Sequence, residues 1–164
     1  MTCRGRDFTL TFLAALVAAL APAAWASGGN NCSVSAVTHA FGAYDTLNTL
    51  DSTSNITATC TTGGGAANVP YQLALSAGPG SYASRRMTGP AATILAYNLY
   101  TNSARSTIWG DGSAGTSIVS TTMVVPASGS ASFIHTLYGR IPGLQNVRPG
   151  AYATTSNITV TVTW

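Results

Sequence analysis

Beyond residue 26 the apolar positions recur every second residue in short runs, and nowhere at helix spacing. The most regular run closes the chain. In residues 156–164, Ile158, Val160, Val162 and Trp164 fall on one face, and Thr159, Thr161 and Thr163 on the other. Strict alternation in residue types that favour strands predicts a strand with one buried face. So apolar a strand needs a neighbour on each side or a cover over its edge. If no partner exists elsewhere in the chain, another chain must supply one.

Similar runs at 33–38, 54–61, 71–77, 94–100, 121–125 and 132–138, with a weaker one at 107–109, predict further strands. Between them lie breaks rich in Gly, Pro and Asn, such as Gly63-Gly64-Gly65, Gly78-Pro79-Gly80 and Pro142-Gly143. About seven short strands punctuated in this way predict an all-β sandwich with an immunoglobulin-like outline. Tyr97, Leu99 and Tyr100 on one run, and Phe133, Leu137 and Tyr138 on another, are expected to fill its interior. As surface stripes the same aromatics would instead bind glycans or apolar surfaces.

The first 26 residues follow another pattern. Arg4 and Arg6 precede an apolar stretch over 10–20, and Ala24-Trp25-Ala26 has the small-x-small form of a cleavage site. This predicts an export leader over residues 1–26, removed to leave one domain over 27–164. The apolar stretch is too short to span a membrane. Export changes the meaning of the cysteines. Cys3 goes with the leader, and Cys32 and Cys60 remain as a pair in an oxidising compartment. They are expected to form one disulfide, worth about 3–4 kcal/mol by the chain-entropy argument.

Residues 27–164 contain no Lys and no Glu. Five arginines (Arg85, Arg86, Arg105, Arg140 and Arg148) stand against three aspartates (Asp45, Asp51 and Asp111), a formal +2. So few charges argue against binding nucleic acid by counterion release. They also leave an enzyme short of acids and bases. No serine sits in a G-x-S-x-G elbow, His39 and His135 share no ligand spacing, and Asp45 and Asp51 suit turn chemistry. Trp109-Gly110-Asp111-Gly112 reads as a tight turn with a packed Trp, since one carboxylate is too few for calcium. No catalytic residue, metal or cofactor is predicted. Asn55-Ile56-Thr57 and Asn157-Ile158-Thr159 match the glycosylation sequon, a short motif common by chance in a Thr-rich chain.

Several motifs in order resemble the spore coat protein U domain family. They are Cys32-Ser-Val34-Ser, Phe41-Gly42-Ala-Tyr44-Asp45 and Cys60, then Tyr71, Leu75-Ser-Ala-Gly78 and Arg86-Met87. Leu95-Ala-Tyr97-Asn98-Leu99-Tyr100, Trp109-Gly110-Asp111-Gly112, Leu137-Tyr138-Gly139-Arg140-Ile141-Pro142, Gln145, Pro149-Gly150-Ala-Tyr152 and the last strand complete the series. Thr154 departs from it, at a position where the family often carries an acid. The resemblance implies an incomplete immunoglobulin-like sandwich, completed by a donor strand from another chain. It implies a subunit of an archaic chaperone–usher pilus or a related secreted coat. The partners would be a periplasmic chaperone, an outer-membrane usher and neighbouring subunits. The location would be the periplasm in transit, then the cell surface or the medium. Ile158, Val160, Val162 and Trp164 would border the acceptor groove. Phe41, Gly42, Tyr44, Tyr97, Tyr100, Trp109, Gly110, Tyr138, Gly139, Arg140 and Tyr152 would build the frame.

One feature sets limits on the role. Only Ser-Gly-Gly-Asn-Asn (residues 27–31) precedes Cys32 after the expected cleavage, with no apolar side chain to offer a groove. The chain is therefore expected to accept a strand and not to donate one, which suits a terminal subunit. A surface-binding, adhesin-like module is the alternative reading, and a small secreted hydrolase fits least.

Overall fold

The structure is a computed structural model that describes residues 6–8 and 29–164. The described residues form nine strands: β1 (Arg6–Phe8), β2 (Asn31–Ala36), β3 (Leu50–Thr61), β4 (Ala67–Leu75), β5 (Arg85–Thr88), β6 (Ile94–Tyr100), β7 (Val119–Val125), β8 (Ser130–Ile141) and β9 (Val160–Thr163). A single 3-10 turn, Pro90–Ala92, joins β5 to β6. All the pairings between strands are antiparallel, in two sheets ordered β1-β9-β4-β7 and β2-β3-β8-β6-β5. The all-β immunoglobulin-like sandwich is as the alternation predicts.

The alternation also states what the interior contains. Val69, Tyr71, Leu73 and Leu75 on β4 face Ile56, Ala58 and Cys60 on β3 from the opposite sheet, all buried. Cys32 sits directly opposite Cys60 in the β2–β3 ladder and is bonded to it, at an S–S distance of 2.06 Å. Trp109 is fully buried, and its indole N–H donates to the Leu73 carbonyl at 3.0 Å. Gly110 continues that anchor: its carbonyl accepts from the Leu75 amide and its amide donates to Ser117. Pro70 interrupts β4 at a harmless place. There β4 pairs with β7 alone, and β9 joins only from Gln72 onward, so the missing N–H costs no bond on the β9 side.

Three expectations need correction. Strand β5 is additional, because Arg85-Arg86 carries no apolar alternation. Arg85 is nevertheless fully buried, donating to Asn98 Oδ1 at 2.6 Å and to the carbonyls of Ser76 and Trp109 at 3.0 and 2.8 Å. Burial without a carboxylate partner pulls its pKa below the ordinary value. The last strand is shorter than its alternation, four residues rather than nine. Over Ser156–Thr159 the chain leaves the ladder, although Thr159 still exchanges hydrogen bonds with Ser76. Phe133 lies on the face of β8 shared with His135 and Leu137 but is 53% exposed, because β6 pairs with β8 only over residues 138–140 and leaves Phe133 without a neighbouring strand on that side.

Candidate functional site: an open groove between the sheets

After Ala36 the chain leaves β2 and runs over residues 37–46 without joining a ladder. Residues 147–154 do the same before β9, apart from a bridge from Ala153 to Thr88. Between these two segments lies a groove of about 800 Å³. Its floor belongs to the core: Leu95, Tyr97 and Leu99 of β6, Leu137 and Ile141 of β8, and Leu75 of β4. Ile158 and Val160 form its border on the β9 side. The groove is therefore a gap in the sandwich interior, lined with large apolar side chains.

The rim is held by polar contacts that the groove itself does not use. His39 lies across the inner face of β3, its Nδ1 2.8 Å from Ser54 Oγ and its Nε2 2.7 Å from Ser52 Oγ. Burial lowers its pKa to about 4, so the ring is neutral near pH 7. Phe41 packs edge-on against both His39 and Tyr97, at 4.7 and 5.4 Å between centroids. Gly139 makes this crossing possible: a Cβ there would stand 2.2 Å from His39 Nε2 and 2.8 Å from Phe41. Gly42, at φ +88°, turns the segment. The Tyr44 hydroxyl donates to the Pro142 carbonyl at 2.8 Å and accepts from the Gln145 amide at 3.1 Å, tying the rim to the end of β8. On the other rim the Tyr152 hydroxyl donates to the Arg148 carbonyl at 2.7 Å.

Asp45 lies on the rim of the groove, while Arg140, Tyr138 and His135 stand outside it. Arg140 grips Asp51 with two bonds of 2.8 and 2.9 Å, and Arg105 joins from 3.2 Å. Hydrogen bonding to Arg140 holds the Asp51 carboxyl below the usual carboxylate range. Tyr138 lies under the Arg105 guanidinium at 5.7 Å and pairs with Tyr100 across β6 and β8. Asp45 accepts from the amides of Leu47 and Asn48, the turn chemistry expected of it. His135 bonds to the Tyr71 hydroxyl at 2.7 Å, far from His39 in the sequence and without shared partners. Among the described residues no group of three His, Cys, Asp or Glu is placed to hold a metal.

The four border residues divide. Ile158 and Val160 line the groove, whereas Val162 is wholly buried at the closed end of β9. Trp164 is half-buried, and its indole N–H donates to the Asn30 carbonyl at 3.0 Å. The leader over residues 1–26 falls outside the described residues except for 6–8, which form β1. Its register on β9 is Arg6 opposite Val162, Asp7 opposite Thr161 and Phe8 opposite Val160. Sequence reasoning missed this strand. Its three residues, Arg6-Asp7-Phe8, carry one apolar side chain and no alternation, so no local signal could have found it.

Fold and groove together define an immunoglobulin-like sandwich with an open, apolar cleft beside its last strand. The spore coat protein U domain model matches residues 18–161, and the chain belongs to that family. One chain in the crystal structure of the CsuC-CsuE chaperone-tip adhesion subunit pre-assembly complex, from archaic chaperone-usher Csu pili of Acinetobacter baumannii, has a similar fold. The TM-score is 0.53 at 21% identity, over 82% of this chain and 40% of that one. The present chain thus spans about two fifths of the length of that neighbour. No curated protein matches the sequence.

Proposed function

We propose that the protein is an exported structural subunit of a surface pilus or coat, and that its groove accepts a β-strand from another chain. The observation that carries this reading is the 800 Å³ apolar groove opening beside β9. An extended segment laid there would pair its backbone with the β9 edge and drop alternate side chains onto Leu95, Tyr97, Leu99 and Leu137. Each large apolar side chain buried this way contributes about 1.5–3 kcal/mol, so four or five make a durable joint. Family membership supports the reading, as does a neighbour caught in a complex of chaperone and subunit. A periplasmic chaperone is the first donor, an outer-membrane usher the site of handover, and a neighbouring subunit the final donor. The leader over 1–26 is removed and residues 27–164 form the working domain, without catalytic activity.

The subunit accepts without donating. Asn31 already belongs to β2, and the Asn30 carbonyl is taken by Trp164. Asn30 and Asn31 are thus committed to the body of the domain, which favours a terminal position. A second reading, a surface-binding module, draws on Leu47 and Leu144, exposed to 68% and 83%.

The test is periplasmic production of the chain with and without a candidate chaperone, followed by native mass analysis. A one-to-one complex, and loss of soluble subunit without the chaperone, are expected. A stable monomer that ignores both the chaperone and a peptide from a partner's N-terminal extension would overturn the proposal.

A further inference from the structure

Tyr97 stands between Leu95 and Leu99 on β6, in the floor of the groove, and is only 4% exposed. Among the described residues three tyrosines line the groove, and two of their hydroxyls are committed. Tyr44 is bonded to Pro142 and Gln145, and Tyr152 to Arg148. The Tyr97 hydroxyl has no hydrogen-bond partner among the described residues. We infer that this hydroxyl sets the specificity of the groove: it selects donor strands that bring a hydroxyl or amide side chain over Tyr97, in an inward row that is otherwise apolar. This rests on the reading of the groove as an acceptor and adds what it accepts.

Two observations aim the hydroxyl at the occupant. Among the described residues the side-chain atom that is sealed and unsatisfied is Arg85 Nε. The Tyr97 hydroxyl is unsatisfied but not sealed, so it meets open space, and the open space that Tyr97 lines is the groove. The ring is also braced: Phe41 packs edge-on against it at 5.4 Å between centroids. Burial raises the Tyr97 pKa to about 12, so the group stays protonated and can both donate and accept.

While the groove is open, water satisfies this hydroxyl. A strand that fills the groove expels that water. A methyl group laid over Tyr97 then leaves a buried polar atom unpaired, whereas a Ser, Thr, Asn or Gln side chain restores the bond. Leu75, Leu95, Leu99 and Leu137 ask for nothing polar on the rest of the floor. Inward side chains of a strand follow one another at about 6.6 Å, so each meets a different part of the floor. One inward position is therefore singled out for a hydrogen-bonding residue, and strands with a uniformly apolar row are disfavoured.

The test uses the exported protein, refolded from urea with its disulfide intact and with a labelled peptide present. The host peptide alternates five inward Val with outward Thr, between charged ends for solubility. Five variants each replace one inward Val by Thr, a swap that trades a methyl for a hydroxyl at nearly constant shape. Binding is read from the anisotropy of the label. At least one Thr variant is expected to bind as tightly as the host or more tightly. Against the Tyr97→Phe protein the same variant should be weaker than the host by about tenfold, and the host itself should bind several-fold more tightly than to wild type. Tyr44→Phe, whose hydroxyl is already committed, should leave the wild-type order of peptides unchanged. If all five Thr variants are weakened alike on both proteins, or the favoured one keeps its advantage on Tyr97→Phe, the inference fails while the acceptor reading stands. Failure of Tyr97→Phe to refold with any peptide would also overturn it, by showing that the hydroxyl serves the fold. If neither the host nor any variant binds either protein, the acceptor reading itself is lost, and the specificity with it.

Discussion

The indole N–H of Trp164 donates to the carbonyl of Asn30 at 3.0 Å, so the last residue of β9's extension is tied to the residue that enters β2. These two strands belong to different sheets, and the bond ties the sheets together at that end. Trp164→Phe keeps most of the apolar surface and deletes the donor. A loss of about 1 kcal/mol is expected, read as a lower urea midpoint with an unchanged m-value. Exchange at Asn31 should rise in parallel, because the entry to β2 is no longer pinned.

Val160 is 6% exposed and borders the groove. Val160→Asp places an unpaired carboxylate among large apolar side chains, at a position where valine is almost wholly buried. The expected cost exceeds about 3 kcal/mol, enough to prevent accumulation of the exported domain. Val160→Ile, which adds one methylene, should accumulate normally. Immunoblots of periplasmic fractions decide between these outcomes, and normal levels of the Asp variant would show that the groove border is not part of the core.

Gly139 and Gly64 form a matched pair for alanine substitution. At Gly139 a Cβ meets the His39 ring at 2.2 Å, whereas at Gly64 it meets nothing within 4 Å. Gly139→Ala should therefore cost about 1–3 kcal/mol by pushing His39 and Phe41 off the β8 surface. Gly64→Ala should change stability by less than about 0.5 kcal/mol. Thermal unfolding of both variants is the measurement, and equal midpoints would show that residues 37–46 do not pack as described.

Histidine protonation should weaken the same segment. The folded pKa of His39 lies at about 4, below its ordinary 6.5, because burial disfavours the charged ring. Between these values the unfolded chain binds the extra proton and the folded chain does not, so stability falls as pH drops from about 6.5 to about 4. Above 6.5 the contribution is fully present. His135 is shifted the same way by burial and adds to the slope. His39→Gln removes one titration and should flatten, not abolish, the fall. Denaturant midpoints across that window, wild type against variant, provide the check; identical slopes would count against a buried, neutral His39.

Much of the sandwich was legible because its strands obey one rule locally. Ile56, Ala58 and Cys60, or Val69, Tyr71, Leu73 and Leu75, declare a buried face without reference to anything else. The Cys32–Cys60 bond was legible from export and parity. Strand β5 was not, since the burial of Arg85 depends on acceptors at Ser76, Asn98 and Trp109. Such satisfaction is assembled by the fold and leaves no local pattern. Phe133 shows the opposite failure: its alternation is right, but exposure depends on how far the neighbouring strand β6 runs along β8. The groove walls, residues 37–46 and 147–154, have no period at all, so only their motifs hinted at them. The strand over residues 6–8 left no local trace, since Arg6-Asp7-Phe8 holds a single apolar side chain.

The scarcity of charge has a further consequence, for resistance to proteolysis. Proteases of trypsin-like specificity cut after Lys or Arg, and residues 27–164 offer them no Lys and five Arg. Arg85 is sealed in the interior, and Arg105 and Arg140 are engaged with Asp51. Arg148 is exposed but precedes Pro149, a bond that such enzymes cleave poorly. Arg86 is exposed on β5, where its amide donates to the Pro79 carbonyl and its backbone is held in a ladder. A folded domain with this distribution presents enzymes of that specificity with almost nothing to grip, a useful property wherever they are secreted.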